Sequence, residues 1–169
     1  MENTNELKKY FDTTQYATTI VGDKQPVSVP EDKITSLISL LTDPSNKDVK
    51  EEALITLKKE KAGDVLLQAI ASPKSLSSRH LLVAACWESE INFSKYLPFF
   101  VLLALDSNYL ISLEAITTIE NMEGPFEEKD VKDAIQKIKT EQKKITSEKA
   151  VLFNDLIMTL EGFLAVRSE

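Results

Sequence analysis

Apolar and polar positions follow one another along this chain with helical spacing, and the pattern recurs. From residue 31 onward, an apolar helical stretch, a short polar turn and a second apolar stretch occur four times in succession. The residues that close the first stretch of each pair are 29, 34 and 34 positions apart (41 to 70, 70 to 104, 104 to 138): Leu41, Ile70, Ala104 and Ile138. Repeats of this length, with two helices in each, predict an α-solenoid.

The turn residues give approximate limits to the predicted helices. In the first pair, Ser28 and Glu31 have the spacing of a capping box with Pro30 in the first turn, and residues 42–46 form the turn to the second helix. We expect the second pair at about 64–71 and 76–90, and the third at about 94–105 and 108–122. The fourth is expected at about 127–143 and 147–166. Pro98 should lie near the start of its helix, because an interior proline breaks helical hydrogen bonds.

Residues 1–30 differ from the rest and are predicted to form an N-terminal arm or a partial helix. Leu7, Tyr10 and Phe11 have helical spacing, residues 15–21 have weak strand character, and two prolines favour extended chain in residues 25–30. The predicted organisation is therefore this arm followed by one helical repeat domain, residues 31–169.

The second helices share one pattern: an apolar or small residue, a basic residue, then small and apolar residues three or four positions later. It reads Val49-Lys50 with Ala53-Leu54 and Leu57, Ser78-Arg79 with Leu82-Val83 and Cys86, and Ile111-Ser112 with Ala115-Ile116 and Ile119. The pattern resembles HEAT and armadillo repeats. The resemblance implies an all-α, right-handed α-α superhelix of about four helix pairs. Two residues depart from the family pattern, because Ser112 replaces the basic residue and Ser72 replaces a turn aspartate.

Composition and charge exclude several classes of function. The chain has 169 residues, and its single cysteine rules out an internal disulfide. Its net charge of −7 disfavours binding to a nucleic-acid duplex. Its N-terminus lacks the apolar core of a signal peptide, and its longest apolar run, residues 97–105, is too short to cross a bilayer. We therefore expect a cytoplasmic protein that binds neither membrane nor nucleic acid.

The sequence offers little for catalysis. The only cysteine and the only histidine, Cys86 and His80, are six residues apart on one predicted helix. Six residues turn an α-helix by about 240° and advance it by about 9 Å, so these side chains cannot form a nucleophile–base pair. Cys86 is expected to be a small buried residue, and His80 a surface or interface residue. No catalytic residue, metal site or cofactor is predicted.

A non-enzymatic module that binds a protein or peptide is the function we predict, as an adaptor or scaffold. Polar residues of the second helices would line the binding surface, namely Lys50, Arg79, Glu114 and Glu120. Residues 106–130 hold seven acidic side chains and only Lys129 in opposition. The acidic stretch around Glu114, Glu120, Glu123 and Asp130 would attract a basic partner segment.

An alternative on the same scaffold is a HEAT-like enzyme or nucleic-acid-binding protein, similar to the glycosylases that remove alkylated bases or to bilin lyases. A glycosylase of this type would need a basic concave face with aromatic residues. The net charge opposes this function, and the single tryptophan, Trp87, lies in an apolar helix and is expected to be in the core.

The last helix carries two apolar faces. Its broad face should pack on the repeats: Leu152, Phe153, Leu156, Ile157, Leu160, Phe163 and Leu164. Val151, Met158 and Ala165 form a second stripe at intervals of seven, which we expect to be covered either by residues 1–30 or by a second copy in a homodimer. Eight core positions are predicted elsewhere: Leu54, Leu57, Leu82, Cys86, Leu102, Leu105, Ile116 and Ile119.

Overall fold

The computed structural model describes residue 7 and residues 30–45, 47–106, 108–144 and 147–165, and within them the protein is entirely helical. Eight α-helices and no strand are found in these ranges, which confirms the all-α prediction. The helices are α1 (Glu31–Thr42), α2 (Lys47–Glu60), α3 (Gly63–Ala71), α4 (Arg79–Glu88), α5 (Leu97–Ala104), α6 (Tyr109–Glu120), α7 (Glu128–Gln142) and α8 (Ser147–Ala165). Short 3₁₀ turns at Pro73–Ser75 and Ser94–Tyr96 precede α4 and α5.

These limits lie within three residues of those predicted for the second, third and fourth pairs. Pro98 lies in the first turn of α5, as expected, where its missing N–H removes no helical hydrogen bond. Pro30 differs from the prediction, because it precedes α1 in an extended conformation rather than lying in the first turn. The predicted cap Ser28 and the possible strand at 15–21 lie outside the described residues.

The chain divides into two compact units, Met1–Ile91 and Asn92–Glu169. In the first unit, α1 packs against α2, α3 and α4, and α3 packs against α4. The core of this unit is aliphatic and includes the fully covered side chains of Leu66, Leu67, Ile70 and Leu82. Leu7 is buried as well.

The second unit has an aromatic core. Helix α5 packs against α6 and α7, while α8 packs against α7 and α6. Phe93, Phe99 and Phe100 are buried, and neighbouring rings in this group have centroids 5.5 Å apart. Phe126, just before α7, stacks on Phe163 of α8 with ring centroids 4.0 Å apart. This stack joins the beginning of the fourth pair to its end.

A small polar network holds the loop before α7 in the second unit. The Asn92 side-chain amide donates to the Gly124 carbonyl at 2.6 Å, and the Gly124 N–H donates to Ser94 Oγ at 2.8 Å. Gly124 has a φ of +82°, which side chains with a Cβ rarely adopt, and it precedes Pro125 through a cis peptide bond. The glycine and the two polar side chains together fix the path from α6 to α7.

Most of the predicted core is confirmed. Leu57, Leu82, Cys86, Leu102, Ile116 and Ile119 are buried. Leu54 and Leu105 are only half-buried, so their prediction is wrong. Leu54 belongs to α2, whose packing is mainly against α1, and Leu105 lies just beyond the last residue of α5.

Trp87 is a second correction. It was expected in the core, yet 38% of its surface is exposed, while Leu82 and Cys86 on the same helix are fully covered. Successive residues point about 100° apart around a helix, so Trp87 lies at the edge of the buried face of α4 rather than within it. One side of α4 is therefore open to solvent, although most of its side chains are apolar.

Candidate protein-binding surfaces

The two predicted surface residues of the first unit, Lys50 and Arg79, both interact with other residues of that unit. Lys50 of α2 forms an ion pair with Glu88 of α4, with 2.6 Å between Nζ and Oε2, and both side chains are partly covered. Lys58, in the last turn of α2, and Glu90, two residues beyond α4, form a second and more exposed ion pair. Lys50 therefore joins α2 to α4 in addition to facing solvent.

Arg79 does not lie on an accessible surface. It is 3% exposed, and its Nε donates a 2.9 Å hydrogen bond to the carbonyl oxygen of Ile70 in the last turn of α3. Carbonyls in the last turn of a helix lack helical partners, and a basic side chain can satisfy them. The prediction that Arg79 lies at the surface is wrong, because its side chain is buried and bonds to the C-terminal end of α3.

Ser112 occupies the corresponding position in the third pair. Its hydroxyl donates to the carbonyl of Ala104, the last residue of α5, and the residue is fully buried. The sequence pattern had aligned Ser112 with Arg79 but gave no reason why a serine should replace an arginine. Both side chains bond to the C-terminal end of the preceding helix, so the two residues share a structural role.

The acidic stretch of the second unit is partly accessible. Glu120, Glu123 and Glu127 are exposed at the end of α6 and in the segment that leads to α7, whereas Glu114 and Asp130 are half-buried. These five residues lie on successive elements of one unit. Of the four predicted acidic residues, the structure therefore places Glu120 and Glu123 at the surface and Glu114 and Asp130 in half-buried positions.

Asp130, in the first turn of α7, lies in a strongly negative environment. Burial raises the pKa of its carboxyl, and the charges of Glu127 and Asp133 raise it further, against the opposing effect of Lys129. Glu127 and Asp133 precede and follow Asp130 by three residues, about one helical turn. Composition groups Asp130 with Glu114, Glu120 and Glu123, whereas the nearer carboxylates of Glu127 and Asp133 are indicated only by their spacing of three residues.

The outer stripe of α8 is accessible. Val151 and Met158 each expose 62% of their surface, and Ala165 is exposed. The opposite face of α8 is in the core through Phe153, Leu156, Ile157 and Leu160, while Leu152, Phe163 and Leu164 are half-buried. The predicted division of α8 into a packing face and an outer stripe is confirmed. Covering by residues 1–30 cannot be described, since that segment lies almost wholly outside the described residues.

The structure gives no sign of a reactive thiol. Cys86 is fully buried, its Sγ lies 3.6 Å from the carbonyl oxygen of Leu82, and burial raises the pKa of the thiol well above its ordinary value. A buried, protonated thiol is a poor nucleophile. This confirms the prediction that Cys86 is a small buried residue.

Neither a cluster of metal-binding side chains nor a membrane-spanning helix is found in the described part of the chain. No group of three or more His, Cys, Asp or Glu side chains there could hold a metal ion. Among the described helices, none is both long and apolar enough to span a bilayer.

Comparison with known proteins adds no relative. The sequence matches no protein-family model, no curated protein and no solved structure closely enough to show a relationship.

Proposed function

We propose that this protein is a non-enzymatic interaction module, an adaptor or scaffold that binds a protein or peptide on a HEAT-like stack of helix pairs. The support for the architecture is that the described residues form eight helices in four successive pairs, with α5 against α7 and α6 against α8 in the second unit. Stacks of this type offer a long, continuous surface to partners. A cytoplasmic location is part of the same proposal.

The observation that favours a basic partner is the accessible acidic surface of the second unit. Glu120, Glu123 and Glu127 are exposed in close succession, and Asp130 follows with its neighbour Asp133. Carboxylates held close together repel one another, and a cationic segment relieves this repulsion on binding. A lysine- or arginine-rich peptide is therefore the class of ligand that this surface fits.

A charge-matched pair of variants tests this proposal. A fluorescent basic peptide, for example alternating Arg and Ala, is titrated against the wild type, Glu120→Gln/Glu123→Gln and the control Glu51→Gln/Glu52→Gln. All four glutamates are exposed, and the control pair lies on α2 of the first unit. We expect the first variant to bind about tenfold more weakly and the control to bind like the wild type.

Salt provides a second measurement of the same interaction. Raising the ionic strength from about 50 to about 300 mM shortens the Debye length roughly by half and should weaken binding several-fold. An equal loss of affinity in Glu120→Gln/Glu123→Gln and in the control Glu51→Gln/Glu52→Gln would indicate non-specific attraction to an acidic protein. Binding that ignored salt would also refute the acidic surface as the site.

One observation favours the alternative of a nucleic-acid-binding or enzymatic HEAT-like protein. Trp87 is partly exposed, so an aromatic ring is accessible for base stacking, contrary to the sequence-based expectation. The net charge of −7 still opposes this function. Titration with single-stranded and duplex DNA, followed by the fluorescence of the single tryptophan, decides the matter. Saturable quenching at moderate salt would replace the interaction-module proposal with this one.

A further inference from the structure

The outer face of α8 has an apolar centre and two edges of different charge. Successive residues turn by about 100° around an α-helix. Seen along the axis of α8, Met158, Gly162 and Ala165 therefore lie within about 40° of Val151. The stripe extends from residue 151 to residue 165, which is about 21 Å along the axis. Its apolar side chains recur every seven residues, about two turns, along an exposed helix face, and the polar Asn154 and Asp155 lie at its edges between Val151 and Met158.

Gly162 adds a feature that packing within the chain does not explain. A Cβ placed on this glycine would have no heavy atom within 4 Å, so no neighbour in the structure needs the glycine. An interior helical glycine costs about 1 kcal/mol relative to alanine. Absence of a side chain at this point of the stripe allows another helix to approach closely.

One edge of the stripe is formed with α7 and carries the cation Lys143 beside an ion pair. Gln142 Nε2 lies 2.7 Å from Asn154 Oδ1, and Lys139 Nζ lies 3.2 Å from Glu161 Oε1, so α7 borders α8 on the side of Asn154 and Glu161. Lys143 follows Lys139 by one turn and therefore lies on the same edge of α7. Its side chain is exposed.

The other edge of the stripe is acidic. Asp155 is exposed and lies about 40° from Val151, on the side opposite to Asn154 and Glu161 and therefore away from α7. The bond between Gln142 and Asn154 places Lys143 and Asp155 at nearly the same height along α8. The stripe therefore separates a cation from an anion at one level of the helix.

We propose that this face binds the same face of a second copy, with the two α8 helices parallel and related by a two-fold axis that runs along them. Such an axis exchanges the two edges, so Asp155 of each copy lies opposite Lys143 of the other. Val151, Met158 and Ala165 then meet their own counterparts every seven residues, which supplies one of the two positions per heptad that parallel helices bring together. This surface is separate from the acidic surface assigned to a basic partner.

Charge also selects the orientation. An axis perpendicular to the helices would make them antiparallel and would place like edges together, with Asp155 near Asp155 and lysine near lysine. Like charges in direct opposition disfavour an arrangement. In the parallel dimer, Asp155 of each copy instead lies opposite Lys143 of the other, which gives two ion pairs.

Sedimentation velocity over about 5–500 µM protein tests the association, because a contact of this small size is expected to be weak. Met158→Glu should weaken dimerisation at least tenfold. The matched control is Ile55→Glu on α2, since Ile55 is 61% exposed and Met158 62%. Circular dichroism checks that both variants keep their helical content. A wild type that stays monomeric over this range, or an equal loss in both variants, overturns the proposal.

Charge exchange and crosslinking test the orientation. Asp155→Lys and Lys143→Glu should each weaken dimerisation about threefold to tenfold, and the double variant should recover most of the wild-type affinity. Val151→Cys should form a disulfide-linked dimer with copper phenanthroline as oxidant, because Cys86 is buried and position 151 meets itself. Failure of the double variant to recover, or crosslinking only when Val151→Cys is mixed with Ala165→Cys, overturns the parallel arrangement.

Discussion

Arg79 in the first unit and Ser112 in the second occupy aligned positions near the start of the second helix of their pairs, yet they differ greatly in size and charge. The arginine reaches the carbonyl of Ile70, and the serine reaches the carbonyl of Ala104. Each acceptor lies in the last turn of the first helix. The comparison shows that these two pairs keep the same hydrogen bond to the end of the first helix, although the residues that donate it differ in size and charge.

The largest expected effect is at Arg79. Arg79→Ala removes a buried donor and the packing of its aliphatic stem, and we expect it to lower the free energy of unfolding by roughly 2–4 kcal/mol. Urea denaturation followed by circular dichroism measures the loss. Arg79→Met is the matched control, because it keeps the stem and loses only the donor. A loss below about 1 kcal/mol for the alanine variant would show that the buried arginine contributes little.

Ser112→Ala should have a smaller effect. The hydroxyl is buried, and its removal leaves the Ala104 carbonyl without this donor, at a cost of about 1–2 kcal/mol. Ser112→Thr keeps the hydroxyl but adds a methyl group at a fully covered position, so it separates lost hydrogen bonding from crowding. The same urea experiment applies. If Ser112→Ala costs more than Arg79→Ala, the ranking by size of the lost group is wrong.

A gain of stability is expected at the end of α2. Lys61 has a φ of 54°, and the Ala62 N–H bonds to the Leu57 carbonyl at 2.9 Å, which is a helix end that favours glycine. Lys61→Gly should raise the melting temperature, corresponding to about 0.5–1 kcal/mol. Lys61→Ala removes the same side chain without relieving the backbone and should bring no such gain. Equal melting temperatures for both variants would contradict the explanation.

The smallest effect is expected at Lys50, the third aligned position. Lys50 bonds to Glu88 on α4 rather than to a helix end, and both side chains keep about a quarter of their surface in solvent. We expect Lys50→Gln to cost about 0.5 kcal/mol, since partly exposed ion pairs contribute little. The cost should fall further in about 0.5 M NaCl, because salt screens the pair. A salt-independent loss would indicate packing rather than charge.

Periodicity predicted the helices well because each pair has an apolar stripe and polar turn residues. The turn at residues 42–46, the proline in the first turn of α5 and the Gly124-Pro125 step each mark a boundary that the structure has. These signals are local, and local signals can be read from the order of residues alone. The stacking of the pairs into a superhelix depends on contacts between repeats and remains a prediction.

Burial at the margins of helices was harder to predict. Arg79 is predicted at the surface because polar residues of the second helices would line it, and the acceptor that makes its burial possible is nine residues away on another helix. Trp87 was expected in the core because its neighbours are apolar, but a single step around α4 separates it from Cys86. The acidic surface was found by composition, and the approach of Glu127 and Asp133 to Asp130 could have been found from their spacing of three residues on the predicted helix.

The stacked rings of Phe126 and Phe163 also give the fourth helix pair a distinct signal in proton nuclear magnetic resonance spectra. The rings are nearly parallel, with 13° between their planes and 4.0 Å between their centroids, so each ring current shields protons of the other. Those protons should resonate upfield of ordinary phenylalanine protons and move back when the pair opens. The proton signals of these two rings can thus show whether α8 stays packed on the segment before α7 while a partner is being added.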